Sequence, residues 1–353
     1  MSKNSFFVRR WKLLLNIVTI VAIVLFLFLI REQIVETFEN IGRIHWWVLL
    51  LIVLLQLWNY DAQTRMYLSL FKIVGNTFKY KPMFIAALEL NFINNVFPSG
   101  GVSGISYFGV RLRSKSVTAG KATLVQIMKL LMLYISFEIL LVFGIFLLAA
   151  EGRINDLVLA SAVTISTSLI IGTGLFVYIL GSKQRVEQFF RLIKRLTNKV
   201  VRKVRRDPRH KTIEMDRVQF LLSELHDNFK TIKSRITELK WPLVHALFAN
   251  LTEIMCIYVI YIAFGEWVNL GAIIIAYSVA NFAGLISVLP GGVGIYEVLM
   301  TTVLVAAGVP VALSLPVTIM YRVLTAAIQL PPGYYYYHKA LNSKGMKLEP
   351  HNG

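Results

Sequence analysis

Eight ionisable side chains lie inside apolar stretches of this chain: Asp61, Arg65, Glu89, Lys129, Glu138, Glu253, Glu297 and Arg322. A charge among apolar neighbours is costly unless it is paired, wetted or used, so each is a candidate for holding a charged group or carrying a proton. Asp61 and Arg65 are four apart, share a helix face and can pair. Arg65 can equally snorkel to the end of its segment, and for Lys129 snorkelling is the expectation. Arg322 lies about ten residues into the last apolar run, too deep to snorkel. It is expected to be functional or to form a buried pair with Glu253 or Glu297.

Two Pro-Gly breaks supply a second kind of chemistry. They are Pro98-Ser99-Gly100-Gly101-Val102-Ser103-Gly104 and Pro290-Gly291-Gly292-Val293-Gly294, and each follows an Asn-Phe pair, Asn91-Phe92 and Asn281-Phe282. Lipid gives freed backbone groups no partner, so an element broken at membrane depth must be buried in protein or line a polar cavity. Interrupted apolar segments at matching places in two halves point to a transporter's binding site. The glycines allow close backbone approach, and the half-helix N-termini after each break offer N–H donors suited to phosphate. Glu297 reads either as a first-turn carboxylate that satisfies such N–H groups or as a gate or proton-linked group beside a substrate. The candidate substrate-binding residues are Arg322, Arg65, Asp61, Asn91, Asn281, Gly100, Gly101, Gly291, Gly292, Glu253 and Glu297.

The elements that must position them are membrane helices. Of 353 residues, 56% are hydrophobic, against roughly 45–50% in a soluble domain. The formal charge of +18 fits cytoplasmic loops near anionic lipid, and no nucleic-acid partner is expected. The lone cysteine, Cys256, excludes an internal disulfide and a Cys-rich metal site. His45, His210, His226, His245, His338 and His351 are scattered, and no nucleophile elbow or phosphate-binding loop of a nucleotidase stands out. No catalytic residue, metal or cofactor is therefore expected.

Charge placement orients the apolar runs. Arg9, Arg10 and Lys12 precede the uncharged Leu13 to Ile30, read as a retained signal anchor with a cytoplasmic N-terminus. A second span runs from about Trp46 to Phe71. Met83 to Val96 and Ile105 to Val110 flank the first break, with Lys79 and Lys81 before them and Arg111 and Arg113 after. Arms this short, with both flanks basic, suit a re-entrant hairpin entered from the cytoplasm. Thr123 to Ala149, Leu157 to Leu180 and Leu243 to Ala263 follow as spans. A second hairpin, Gly271 to Leu289 and Ile295 to Ala307, would enter from outside, and Ala312 to Tyr337 brings the C-terminus inside. The expected fold is an all-α polytopic membrane protein: six full spans and two re-entrant helical hairpins in an inverted repeat, or eight segments by hydropathy alone. Residues 1–353 form one integral-membrane domain. Within it, 183–240 is a basic cytoplasmic helical insertion with 17 Lys and Arg against 7 Asp and Glu. Its two apolar stripes suit either an anionic membrane surface or packing on the neighbouring helices.

The chain resembles the flippase-like membrane domain of lysylphosphatidylglycerol synthases. The resemblance rests on Arg65 with Met66-Tyr67-Leu68-Ser69-Leu70, on Asn91-Phe92 through the first break to Gly104, on Leu289-Pro290-Gly291-Gly292-Val293-Gly294-Ile295-Tyr296-Glu297, and on Arg322 with Pro331-Pro332-Gly333. The full-length synthases add a cytoplasmic domain that moves a lysyl group from charged tRNA to phosphatidylglycerol. No such domain is expected here, and lysyltransferase activity is not expected of this chain alone. The resemblance implies a cell-membrane translocator of an anionic or aminoacylated phospholipid or a polyprenyl-phosphate-linked lipid. The alternative is the membrane component of a phosphatidylglycerol lysyltransferase that works with a separate catalytic chain. Expected partners are anionic lipid head groups, a soluble protein at the basic helices, and a second copy of the chain.

Overall fold

The computed structural model describes residues 44–97, 102–113, 117–152, 155–188, 227–286 and 293–342, with isolated positions between 21 and 39 and at 191 and 224. Most of the expected first span, the tips of both Pro-Gly breaks and most of the basic insertion lie outside them. Every regular element among the described residues is a helix: α1 (Leu50–Ile73), α2 (Tyr80–Val96), α3 (Val102–Arg113), α4 (Ala119–Ala150), α5 (Asp156–Leu180), α6 (Lys240–Ala263), α7 (Leu270–Ile286), α8 (Ile295–Ala306) and α9 (Val311–Asn342). Helical ends fall close to where apolar runs and breakers place them. Thr118 and Asn155 cap α4 and α5 by accepting from the N–H groups of Lys121 and Val158.

Four of the described helices are long and apolar enough to cross a membrane: α4, α5, α6 with its leading turn, and α9. Helix α1 has the length, but Gln56, Asn59, Asp61, Gln63 and Arg65 interrupt its apolar run. Side chains such as Val142, Phe146, Ile170 and Ile171 point outward and exposed, as a lipid-facing wall requires. Trp46, Trp47, Trp241 and Trp267 are exposed at helix ends, the place of interfacial anchors.

The helices fall into two matched series. In α1, α2, α3 and α4 the lengths are 24, 17, 12 and 32 residues; in α6, α7, α8 and α9 they are again 24, 17, 12 and 32. Four-residue 3-10 turns, Trp46–Leu49 and Ile236–Leu239, lead into α1 and α6. Both helices end the same way. Gly75 and Gly265 take φ of 83° and 80°, and the next residue's N–H reaches back to Phe71 or Tyr261, a left-handed stop that favours glycine. Across the two series, the His45 N–H donates to the Ala263 carbonyl at 2.9 Å, and the Arg235 guanidinium donates to the Ile73 carbonyl at 3.0 Å.

Helices α1 and α6 pack together most extensively and run antiparallel. Gln56 meets Glu253 and Cys256, whereas Asn59, further along α1, meets Ala249 and Thr252, earlier in α6. The long fourth helix of each series lies against the second helix of the other series, α4 on α7 and α9 on α2. Glycine lets α9 approach: a Cβ on Gly333 would sit 2.6 Å from Phe92 Cβ and 2.8 Å from the Leu88 carbonyl oxygen.

Two large apolar clusters result. One gathers Ile52, the second half of α6, α7, α8 and the first part of α9. The other gathers the end of α1, α2, α3 and the first half of α4, with Val186, Phe229 and Ile232 from the ends of the basic insertion. Within the insertion, residues 183–188 and 227–234 are helical.

Candidate functional site

A polar layer lies between the two clusters, at mid-helix on α1, α6 and α9 and in the last turns of α2. Its hydrogen bonds converge on Glu253. Asn95 Nδ2 donates to the Asn91 carbonyl at 2.9 Å, and Asn91 Nδ2 to Gln329 Oε1 at 2.8 Å and to the Tyr60 hydroxyl at 2.7 Å. Gln329 Nε2 donates to Gln56 Oε1 at 2.7 Å, and Gln56 Nε2 to Glu253 Oε2 at 3.1 Å. Tyr321 completes the chain by donating to the same Glu253 oxygen at 2.8 Å. Gln56 is fully buried, whereas Asn91, Gln329 and Glu253 are half-buried. A buried amide stripped of its partner bears its full desolvation penalty, about 1–3 kcal/mol, so the members hold each other in place.

A second branch leaves the same layer. Lys129 on α4 donates to Gln63 Oε1 at 2.9 Å and lies over the Tyr67 ring, 4.8 Å from its centroid. Gln63 donates to Asn59 at 2.6 Å, and Asn59 to Thr252 at 3.1 Å. Lys129 was expected to snorkel. It turns inward instead, because the Gln63 amide and the Tyr67 face offer the ammonium polar contacts within reach.

Arg322 forms a pair with Glu297 at 3.0 Å, with the two side chains 14% and 7% exposed. Its guanidinium lies 4.9 Å from the Tyr296 ring centroid. Of the two expected partners, Glu297 is therefore the one found. Glu297 Oε2 also accepts the Gly294 N–H at 2.6 Å. The first-turn role and the charged role thus occur together: one carboxyl oxygen tethers the start of α8 and the other meets the arginine. Tyr321 stacks on Tyr296, with centroids 6.5 Å apart, which joins this pair to the Glu253 chain.

Of the remaining expected residues, Asn281 has its side chain beside Tyr296, and the others fall elsewhere. Asp61 and Arg65 pair at 2.7 Å with side chains 37% and 55% exposed, and Tyr80 donates to Asp61 at 2.8 Å. They bond to each other and to Tyr80, not to the polar layer. Asn281 donates to the Tyr277 carbonyl within α7 at 2.8 Å. Gly100, Gly101, Gly291 and Gly292 lie outside the described residues. Glu89 pairs with Arg111 at 2.8 Å and accepts from Tyr107 at 2.9 Å, which ties α2 to α3. Glu138 accepts from Ser166 at 2.7 Å, between α4 and α5.

Reading charges alone overlooks Gln56, Asn59, Gln63, Gln329 and Tyr321. A signal for three of them is present: Gln56, Asn59 and Gln63 recur every three or four residues, placing one polar stripe on an otherwise apolar helix. Among the described residues no cluster of His, Cys, Asp and Glu has the makings of a metal site.

Residues 13–333 match the family described as the lysylphosphatidylglycerol synthase TM region. A stretch of 92 residues is 34% identical to a UPF0104 membrane protein of Methanothermobacter thermautotrophicus, covering 26% of this chain and 28% of that protein. The chain is thus a membrane protein, and it belongs to the lysylphosphatidylglycerol synthase TM region family.

Proposed function

We propose that this protein moves a lipid with an anionic head group between the leaflets of the cell membrane. Candidate substrates are an anionic phospholipid, its aminoacylated form and a polyprenyl-phosphate-linked lipid. The observation that carries this reading is the buried Arg322–Glu297 pair at the start of α8, beside a polar layer at mid-helix and enclosed by apolar helices. Such a layer is costly in a protein that merely spans a bilayer. It gives a head group hydrogen-bonding partners where lipid tails give none.

On this reading α2–α3 and α7–α8 are re-entrant hairpins. Arms of 17 and 12 residues reach about 25 and 18 Å at 1.5 Å per residue, short of a core about 30 Å thick. The matched helix lengths and the antiparallel α1–α6 pair support an inverted repeat with its axis near Asn59. The lipid phosphate is met by Arg322 and by the N-terminus of α8, with Asn91, Asn281 and Glu253 nearby. Asp61 and Arg65 act nearer the cytoplasmic end. Both termini are cytoplasmic, and the basic insertion rests on anionic lipid.

The test is leaflet exchange in liposomes carrying the purified chain and fluorescent phosphatidylglycerol, lysyl-phosphatidylglycerol or a polyprenyl phosphate. Selective exchange of one of them is the expected result. No exchange of any, by folded protein, would transfer the assignment to the membrane component of a lysyltransferase whose catalytic chain is separate.

A further inference from the structure

Glu253 differs from the carboxylates that have an arginine partner; Glu138, which accepts from Ser166, also has no bonded cation among the described residues but lies on the α4–α5 face, away from the polar layer. Glu89 has Arg111, Glu297 has Arg322 and Asp61 has Arg65. Glu253 sits midway along α6, and its bonding partners among the described residues are neutral: the Gln56 amide and the Tyr321 hydroxyl. Both donate to Oε2.

The described elements packed around it supply no bonded cation. Tyr60 comes from α1, Tyr277 from α7 and Tyr296 from α8, and Cys256 lies on its own helix; all are within electrostatic reach and uncharged. The charged groups nearby in the network are the Arg322–Glu297 pair, neutral as a unit, and Lys129, which reaches Thr252 only through Gln63 and Asn59.

The fold provides its own comparison. Matching the two helical series end to end sets Gln63 of α1 against Glu253 of α6, and Lys129 of α4 against Tyr321 of α9. In each series the first helix's side chain accepts from the fourth: Lys129 to Gln63 at 2.9 Å, and Tyr321 to Glu253 at 2.8 Å. A neutral amide therefore fits this packing position. The carboxylate in the second series is a chemical difference that the packing does not demand.

We infer that Glu253 is a proton-binding site, and that its protonation favours binding of the anionic head group, so that proton and lipid cross together. Resting on the translocator reading, this supplies its energy source. In the step, an O–H bond forms at Glu253 Oε1 with a proton taken from water on one side, the carboxylate loses its charge, and the proton leaves to the other side after translocation. With Glu253 ionised, it offsets Lys129, and an entering phosphate meets a carboxylate beyond the Tyr321–Tyr296 stack. With Glu253 protonated, the layer carries one net positive charge and accepts the anion. Binding linkage is reciprocal, so bound lipid must likewise hold the proton more tightly.

The experiment uses the full chain in liposomes with fluorescent phosphatidylglycerol, reading the steady-state ratio between leaflets under an imposed pH gradient. Lipid should accumulate in the leaflet facing away from the acid side, with a limit of about tenfold per pH unit for one proton per lipid. Glu253→Gln should give an even distribution with or without the gradient. Glu138→Gln, on the α4–α5 face, should keep the wild-type ratio. Exchange in the wild type that ignores the gradient would overturn the coupling while leaving the translocator reading intact. If no lipid exchanges, the translocator reading fails instead. A second, lipid-free readout then decides the proton site: pH-difference infrared spectra should show a protonated carboxyl band that Glu253→Gln removes. The same spectra from wild type and Glu253→Gln would overturn it.

Discussion

The Asn59 side-chain amide donates to the Ala249 carbonyl oxygen at 2.8 Å, and the two residues are 190 apart in the chain. The same interval relates Asn91 to Asn281 and Gly75 to Gly265. A residue that touches its own counterpart lies beside the axis relating two repeats. In the reading proposed above, that axis crosses the α1–α6 contact within the polar layer, the one place where two alternating arrangements of the halves share a common centre.

Arg322→Ala should abolish lipid exchange while leaving membrane insertion unchanged, because the residue's charge is what the head group meets. Exchange at the wild-type rate in liposomes, with Arg322→Ala protein present at the wild-type amount, would remove Arg322 from the site.

Glu297→Ala should lower thermal stability in detergent. Removing one partner of a buried ion pair costs about 3–5 kcal/mol, and here the Gly294 N–H also loses its acceptor. Asp61→Ala should cost far less, since its pair with Arg65 is largely exposed and such pairs contribute about 0–1 kcal/mol. Melting curves of the two variants compare them directly.

Much of this fold was legible in the sequence. Apolar runs and breakers placed helices α1 to α9, and Arg322 announced itself by depth alone. The polar layer was not legible in the same way. Gln329 and Tyr321 sit in the last helix, and nothing in their spacing says that they close on Gln56 and Glu253 more than 60 residues away in the chain. That closure depends on the antiparallel packing of α1 and α6 and on α9 crossing α2. Lys129 was misjudged for a related reason: a lysine's reach to a helix end can be read from sequence, but an amide waiting on a neighbouring helix cannot.

Gly333→Ala should destabilise the protein by about 1–3 kcal/mol, the usual cost of forcing a group into a filled contact. Backbone and a Cβ are what it would strike, and neither can swing aside. Gly109→Ala is the control, since a Cβ there meets nothing within 4 Å. Equal melting temperatures for both would mean that α9 and α2 are not held so close.

Ser99→Cys in a Cys256→Ala background tests the hairpin. If the segment is re-entrant from the cytoplasm, a membrane-impermeant maleimide added outside intact cells should leave the introduced thiol unlabelled. Full external labelling would mean that residues 83–110 cross the membrane twice.

The exchange of partners between the two series bears on how the protein is made. Helix α4 finds its groove on α7, and some 120 residues must be synthesised between the end of one and the start of the other. At roughly 5–20 residues per second, the first series waits in the bilayer on the order of ten seconds with its long helix unmatched and α2 uncovered. The apolar length of α4 lets it remain inserted through that interval. Helix α2 is less secure, because α9, the last described helix to leave the ribosome, is the one that packs on it. Biogenesis should therefore be most vulnerable to truncations and translational stalls near the C-terminus, where the final turns of the last helix complete a shelter begun nearly 250 residues earlier.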